Sequence, residues 1–203
     1  MKEFWNFRYQ ERAYVYGIEP NRFFESEIQK VPVGKGLFPA EGEGRNAVFA
    51  ASLGWEVVAF DQSEAGKAKA LKLADVRGVS ITYEMATLQE FEAEKESFDA
   101  LVLVFAHFSN PLRKSFHQKL ASFLKPGGTV ILEGFSKEHT ALSLVNEKAG
   151  GPKDPAMLFS IEEIMGDFEG FSIVVLEETE VELQEGVYHV GKSAVIRLVA
   201  KKN

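Results

Sequence analysis

The sequence predicts one α/β domain, a mostly parallel sheet covered by helices. Three observations predict it. Short apolar runs alternate with helical patterns along all 203 residues, and no repeat or Pro/Gly/Ser linker divides them. The last two β segments are joined too tightly for a crossover helix, so they pair antiparallel. At this length one domain (1–203) is expected, and 45% apolar residues supply its core.

Residues 3–30 read as helical and aromatic, interrupted from Gly17 to Pro20. Lys35 to Pro39 is a weak strand, followed by the turn AEGEGRNA and a helix to about Ser52. WEVVAFD is a second strand ending at Asp61. A helix then starts near the N-cap residue Ser63 and stops before Gly78. VSITYE is a third strand, and FDALVLVF a fourth, apolar enough to be buried on both faces. Asn110 and Pro111 supply a cap and a first-turn proline for a helix with Leu112, Phe116, Leu120, Phe123 and Leu124 at helical spacing. That helix ends at Lys125-Pro126-Gly127, and TVILEGF forms a fifth strand. Residues 137–159 are irregular or partly helical, and Ser160 with Glu163 makes a capping box. The final β segments are roughly 171–183 and 192–201.

Composition excludes several classes. The net charge of −7 gives no long-range attraction for nucleic acid or an anionic membrane. With no cysteine, disulfides, thiolate metal sites and a cysteine nucleophile are ruled out, and the four histidines have no mutual metal-ligand spacing. The N-terminus MKEFWNFRYQER is not a signal-peptide pattern, and no apolar run reaches about 18 residues, so the cytoplasm is the expected home. Neither a G-x-S-x-G elbow nor a Walker loop is present.

Glu41-Gly42-Glu43-Gly44-Arg45-Asn46-Ala47 is the strongest local signal. Its glycines let a ligand approach the main chain, and the helix start beyond offers N–H groups. Asp61, 17 positions after Gly44, can accept hydrogen bonds from both hydroxyls of a ribose. This pair fits an adenosylmethionine site and a dinucleotide site equally. Two further segments separate them. FDALVLVFAHF places Phe105, Ala106 and His107 at the carboxyl end of the fourth strand, where open α/β sheets bind ligands. LKPGGTVILEGF then follows with a helix stop and a buried strand.

In this order the segments resemble the class I S-adenosylmethionine-dependent methyltransferases, near the tellurite-resistance-type (TehB-like) bacterial enzymes. The resemblance runs through FWNFRY, YGIEPN, AEGEGRNAVFAA, FDQS, VFAHF, LKPGG and GVYHVGKSAVIRLVAKK. It implies a Rossmann-like three-layer sandwich, a seven-stranded, mostly parallel sheet with the last strand antiparallel, and S-adenosyl-L-methionine as cofactor. Carried onto these positions, Glu41, Gly42, Gly44 and Asn46 form the cofactor loop, Asp61 holds the ribose, and Gln62 and Ser63 border the adenosine. Ala86 and Thr87 occupy the place of adenine contacts, although an acidic residue is common at Thr87. Phe38 and Ala40 replace the usual acidic residue and first glycine.

Methyl transfer from a sulfonium is an in-line displacement, and the protein mainly supplies alignment. The face of Phe105 can stabilise the sulfonium by about 0.5–2 kcal/mol. Trp5, Arg8, Tyr9 and Tyr16 are read either as an N-terminal lid (1–30) over the cofactor, with Arg8 pairing with its carboxylate, or as a helix docked by its aromatic face with Arg8 solvated. Residues 137–160 are expected to wall the acceptor pocket as a substrate cap. His107 is the first candidate for a general base and His189 the second, while His117 and His139 read as surface residues. The acceptor is expected to be a small molecule. An NAD-binding oxidoreductase is the alternative, and a non-catalytic adenosylmethionine-binding module a third.

Overall fold

The computed structural model describes residues 2–11 and 13–203. Met1 and Arg12 of the expected lid therefore lie outside the described residues. Two helices come first, α1 (Lys2–Tyr9) and α2 (Arg22–Ile28), so the break between them is longer than Gly17 to Pro20. Then follow β1 (Lys35–Pro39), α3 (Arg45–Ser52), β2 (Glu56–Asp61), α4 (Glu64–Val76), β3 (Thr82–Met85) and β4 (Phe98–Val104). The second half holds α5 (Asn110–Ser122), β5 (Leu124–Phe135), α6 (His139–Val145), α7 (Ile161–Asp167), β6 (Phe171–Glu185) and β7 (His189–Lys202).

The seven strands lie in the order β3-β2-β1-β4-β5-β7-β6. The five from β3 to β5 are parallel, while β7 runs antiparallel to both β5 and β6. This is the Rossmann-like α/β sandwich expected of the sequence. Alternation along β1 sends Leu37 into the core beneath α5 and α7, with Leu101, Leu103, Leu120, Ile164 and Phe168. Phe38 goes to the opposite face, against Phe24 of α2, Ala47 of α3 and Ala70 of α4. Side chains thus fill both faces beneath these helices.

Several local expectations shift. Ser109, not Asn110, is the N-cap of α5, and its side chain makes no capping bond; Pro111 does sit in the first turn. That helix stops at Ser122 rather than at Lys125, because β5 already pairs at Leu124 with Phe98 across a register shift. The capping box predicted for α7 is present in both directions, Ser160 to Glu163 and back. His117 and His139 are buried, 0% and 1% exposed, and not on the surface. His117 sits on α5 with Nδ1 2.9 Å from Asp167 of α7, beside Arg113, whose Nε donates to the same carboxylate at 2.7 Å. No helix among the described residues is long and apolar enough to cross a membrane.

Candidate cofactor and acceptor site

Order reverses in the sheet between β1 and β4, which opens a crevice beyond their carboxyl ends. Both strands leave the sheet through left-handed backbone at a non-glycine residue, Ala40 after β1 (φ 52°) and Phe105 after β4 (φ 51°). Such conformations are costly and collect at functional sites. Ala40 therefore performs the turn usually given to a first glycine.

Glu41 follows, and its Oε1 accepts the backbone N–H groups of Asn46 (2.9 Å) and Ala47 (2.8 Å) in the first turn of α3. The helix start is consequently not the open N–H site read from the sequence: a carboxylate of the chain itself fills it. Oε2 makes no hydrogen bond among the described residues. Burial pushes Glu41 up to about 7, against the pull of the two N–H groups and of Arg45.

Gly42 (φ 60°) donates its N–H to Asp61 Oδ2 at 3.1 Å, while Ser63 donates to Oδ1 at 2.8 Å. A carboxylate has about four acceptor positions, so Asp61 keeps two for a ligand. Burial raises its pKa, opposed by these backbone donors. Gln62 is half-buried beside it, and Ser63 is buried and caps α4. Ala86 donates its N–H to the Asp61 carbonyl at 3.1 Å, so the second and third strand ends form one ledge. Thr87 on that ledge gives its hydroxyl to Glu90 at 2.9 Å, which brings an acidic group to the place where Thr87 lacks one.

Gly44 has a different role from the one its motif implies. A Cβ there would lie 2.5 Å from the Cβ of Ala70, so the glycine permits α3 and α4 to pack and does not face a ligand. Gly42 is buried beneath α1 instead: its Cβ would lie 2.5 Å from the hydroxyl of Tyr9. Asn46 accepts the N–H of Asn21 on its side chain at 2.9 Å and so ties α3 to the start of α2.

The N-terminal segment lies across this loop. Glu43, not singled out from the sequence, accepts the N–H of Val15 at 2.7 Å and pairs with Lys69 at 2.6 Å. Val15 in turn accepts the N–H of Val187 at 2.8 Å, in the turn between β6 and β7. Asn6 of α1 accepts the hydroxyl hydrogen of Ser63 at 2.7 Å. Arg8 donates to the Tyr16 hydroxyl at 3.0 Å and lies 4.3 Å over the ring of Tyr188, without a carboxylate partner among the described residues.

Beyond β4 the surroundings turn aromatic. Phe105 stacks on Phe135 at 4.7 Å and meets the edge of His189 at 4.5 Å, and Tyr16 closes on the same imidazole at 4.5 Å. Ala106 is buried. His107, the first candidate base, has both nitrogens engaged: Nδ1 bonds the Met157 carbonyl at 2.8 Å, and Nε2 accepts the Phe135 N–H at 3.1 Å. Burial lowers it to about 3. In this arrangement it ties the 137–160 segment to β5 and has no nitrogen left for a substrate proton. Next to the aromatic group lies a cavity of about 690 Å³ with a mixed lining, in which Tyr16, Asn21, Arg45, Glu133, Glu185 and Arg197 supply polar groups. Residues 17–25 and β6 shape it, and the 137–160 segment does not line it.

Residues 39–128 match the family profile described as a methyltransferase domain. No curated protein matches in sequence. Among solved structures, the fold is shared with a protein described for conversion of a disulfide bond into a thioacetal group during echinomycin biosynthesis (19% identity, TM-score 0.79, 100% of this chain and 92% of that one). TehB from Haemophilus influenzae is similar too (15% identity, TM-score 0.73, 100% and 67%). So is the magnesium protoporphyrin IX methyltransferase of Synechocystis, solved with bound adenosylhomocysteine (16% identity, TM-score 0.73, 100% and 97%). The chain has the fold of class I S-adenosylmethionine-dependent methyltransferases, as the sequence motifs implied.

Proposed function

We propose that the protein transfers a methyl group from S-adenosyl-L-methionine to a small-molecule acceptor. The observation that carries this reading over an NAD-linked one is the Glu41 carboxylate on the first turn of α3. Dinucleotide sites place a pyrophosphate at that helix start. Here the N–H groups are taken and a further anion would meet Glu41, Glu43 and Asp61. Adenosylmethionine carries an ammonium and a sulfonium, so the same carboxylates attract it.

The donor set fits that cofactor. Asp61 keeps acceptor positions for ribose hydroxyls, and Oε2 of Glu41, unbonded among the described residues, would meet the ammonium. Arg8, Gln62, Ala86, Thr87 and Phe105 frame the remainder. Bound adenosylmethionine supplies an already activated methyl group. This chain aligns the acceptor, keeps water out with α1 and the aromatic rings, and offers Phe105 to the sulfonium charge. His107 serves as a positioning group that fixes Met157 against β5. The acidic balance of −7 favours a small acceptor over nucleic acid.

Calorimetric titration with adenosylhomocysteine and NAD tests the reading. Micromolar binding of adenosylhomocysteine with no heat from NAD is expected. Tight NAD binding without a response to adenosylhomocysteine would return the oxidoreductase reading.

A further inference from the structure

We infer that the cavity of about 690 Å³ beside α2 is a second binding site, for a small carboxylate with an apolar body, and that its occupant steadies the cofactor loop. Only the link to the cofactor rests on the transferase reading.

The cavity lies apart from the place of methyl transfer. Its lining includes neither Glu41, Gly42 nor Asp61 of the slot, and neither Phe105 nor His189 of the aromatic group. Glu133 of β5 is in the lining, two residues beyond Ile131, and so shares the sheet face that packs with Phe24 of α2. Arg197 of β7 and Val181 to Gly186 of β6 extend the wall, and residues 16–23 with Glu25 close the other side. The volume falls in the range of small-molecule sites.

Its floor is charged and buried. Asn21, 1% exposed, accepts the Phe24 N–H as the cap of α2 and divides its amide between Glu133 Oε1 (2.6 Å) and Glu185 Oε1 (3.0 Å). Arg197 Nε donates to Glu133 Oε2 at 2.7 Å, and Arg45 Nη2 donates to Glu185 Oε2 at 2.8 Å. Both carboxylates are therefore answered. The guanidinium groups, each with five N–H donors, are not exhausted. Arg45 spends one more donor on the Tyr16 carbonyl at 3.2 Å. Arg197 makes no further hydrogen bond among the described residues; it lies 4.9 Å over the Phe23 ring, with Nη1 3.6 Å from Glu177. Arg22, exposed on the rim, has no ion-pair partner among the described residues.

Spare donors on buried guanidinium groups call for an acceptor, and a planar carboxylate matches their fork. The lining also holds carboxylates outside the floor. Glu19 is taken by Arg77 at 2.7 Å, whereas Glu25, half-buried, and Glu182, exposed, have no ion-pair partner among the described residues. A charge that keeps its water gains little from a partner, so the buried donors decide the sign of the ligand. Ile18, Pro20, Phe23, Val181 and Leu183 supply an apolar wall for its body.

The same residues hold the cofactor loop. Arg45 follows Gly44 directly, Asn21 donates its N–H to Asn46 at 2.9 Å, and the N–H groups of Val15 and Tyr16 reach Glu43 Oε2 at 2.7 and 3.4 Å. An occupant bonded to Arg45 and packed on residues 16–21 restrains that loop, and by reciprocity a bound cofactor favours the occupant.

The test is an NMR titration of the full chain with benzoate, with benzamide and benzylamine as neutral and cationic probes of the same shape. Benzoate should bind with a millimolar or tighter Kd and shift the Nε–H signals of Arg45 and Arg197, and the other two should bind at least about tenfold more weakly. Arg22→Gln, a change on the rim, should weaken benzoate about threefold, and Arg197→Lys, which keeps the charge without the fork, about tenfold. Amide exchange at Val15, Asn21 and Asn46 should slow with benzoate bound, and adenosylhomocysteine affinity should rise about fivefold. No benzoate binding, equal binding of benzamide, tighter binding of benzylamine, or loop exchange unchanged by benzoate overturns the inference. If adenosylhomocysteine fails to bind with or without benzoate, the transferase reading falls, and the titration and exchange rates still decide the cavity.

Discussion

At the ends of β1 and β2, Glu41, Glu43 and Asp61 gather around one loop, and among the described residues only Glu43 has an ion-pair partner. Across the sheet, beside β5, β6 and β7, the acidic groups are matched. Glu133 pairs with Arg197 at 2.7 Å, and Glu185 with Arg45 at 2.8 Å. Burial raises Glu133 even beside Arg197, as it raises Glu41, so the sharpest contrast is between Glu41 and Glu185. It raises Glu41 to about 7, because no ion-pair partner among the described residues adds to the pull of Arg45 and the two N–H groups. It also opposes ionisation of Glu185, but Arg45 and His189 outweigh it and hold that carboxyl down to about 2. Glu185, with Arg45 beside it, is held as an anion within the fold, whereas Glu41, without an ion-pair partner among the described residues, is the carboxylate a cationic ligand would favour.

The largest effect is expected where the loop touches the fold. Gly44→Val sets a Cβ 2.5 Å from Ala70 at φ 86°, and should cost about 3 kcal/mol or more of stability by denaturant unfolding. If Gly44→Val unfolds normally but loses adenosylhomocysteine, the glycine serves the cofactor and not the helix pair.

The matched region predicts acid sensitivity. Glu185 has a folded pKa below its unfolded value, so its stabilisation is complete above about pH 4.5 and is lost as pH falls toward 2. The loss is at most about 3 kcal/mol at about 1.4 kcal/mol per unit. Glu185→Gln should already be weaker at pH 6 and show less decline in its urea midpoint over that window. An equal decline in both proteins would place the acid-labile group elsewhere.

Within the unmatched region, Asp61→Asn should weaken adenosylhomocysteine binding about 10- to 100-fold, as for lost hydrogen bonds to a charged group, while its amide oxygen still accepts one of the Gly42 and Ser63 N–H groups. Glu41 gives the smallest signal. Near pH 6.5 it is largely protonated, and an ammonium beside it favours the anion. Binding of adenosylmethionine should therefore release a fraction of a proton, and affinity should rise through pH 7. Calorimetry in buffers of different ionisation enthalpy reads this, and Glu41→Gln should abolish it.

Much of this contrast was legible in the sequence, for local reasons. The loop, Asp61, the capping box and the terminal hairpin depend on residues near each other in the chain, so their patterns survive as spacing. Glu43 and Glu41 were harder. Glu43 acts through Val15, 28 positions away, and Glu41 caps a helix although the position before α3 is a glycine. The histidines were hardest: His117 and His139 occur in polar stretches and are buried only because α5 meets α7 and because α6 folds onto β7. The expectation for His107 came from its strand end alone, where its two main-chain partners, Met157 and Phe135, were out of view.

The most direct test is diffraction from crystals grown with adenosylhomocysteine. The account predicts both ribose hydroxyls within hydrogen-bonding distance of Asp61 and the amino group beside Glu41. A nucleoside lodged elsewhere, with Asp61 still bonded only to Gly42 and Ser63, would contradict it.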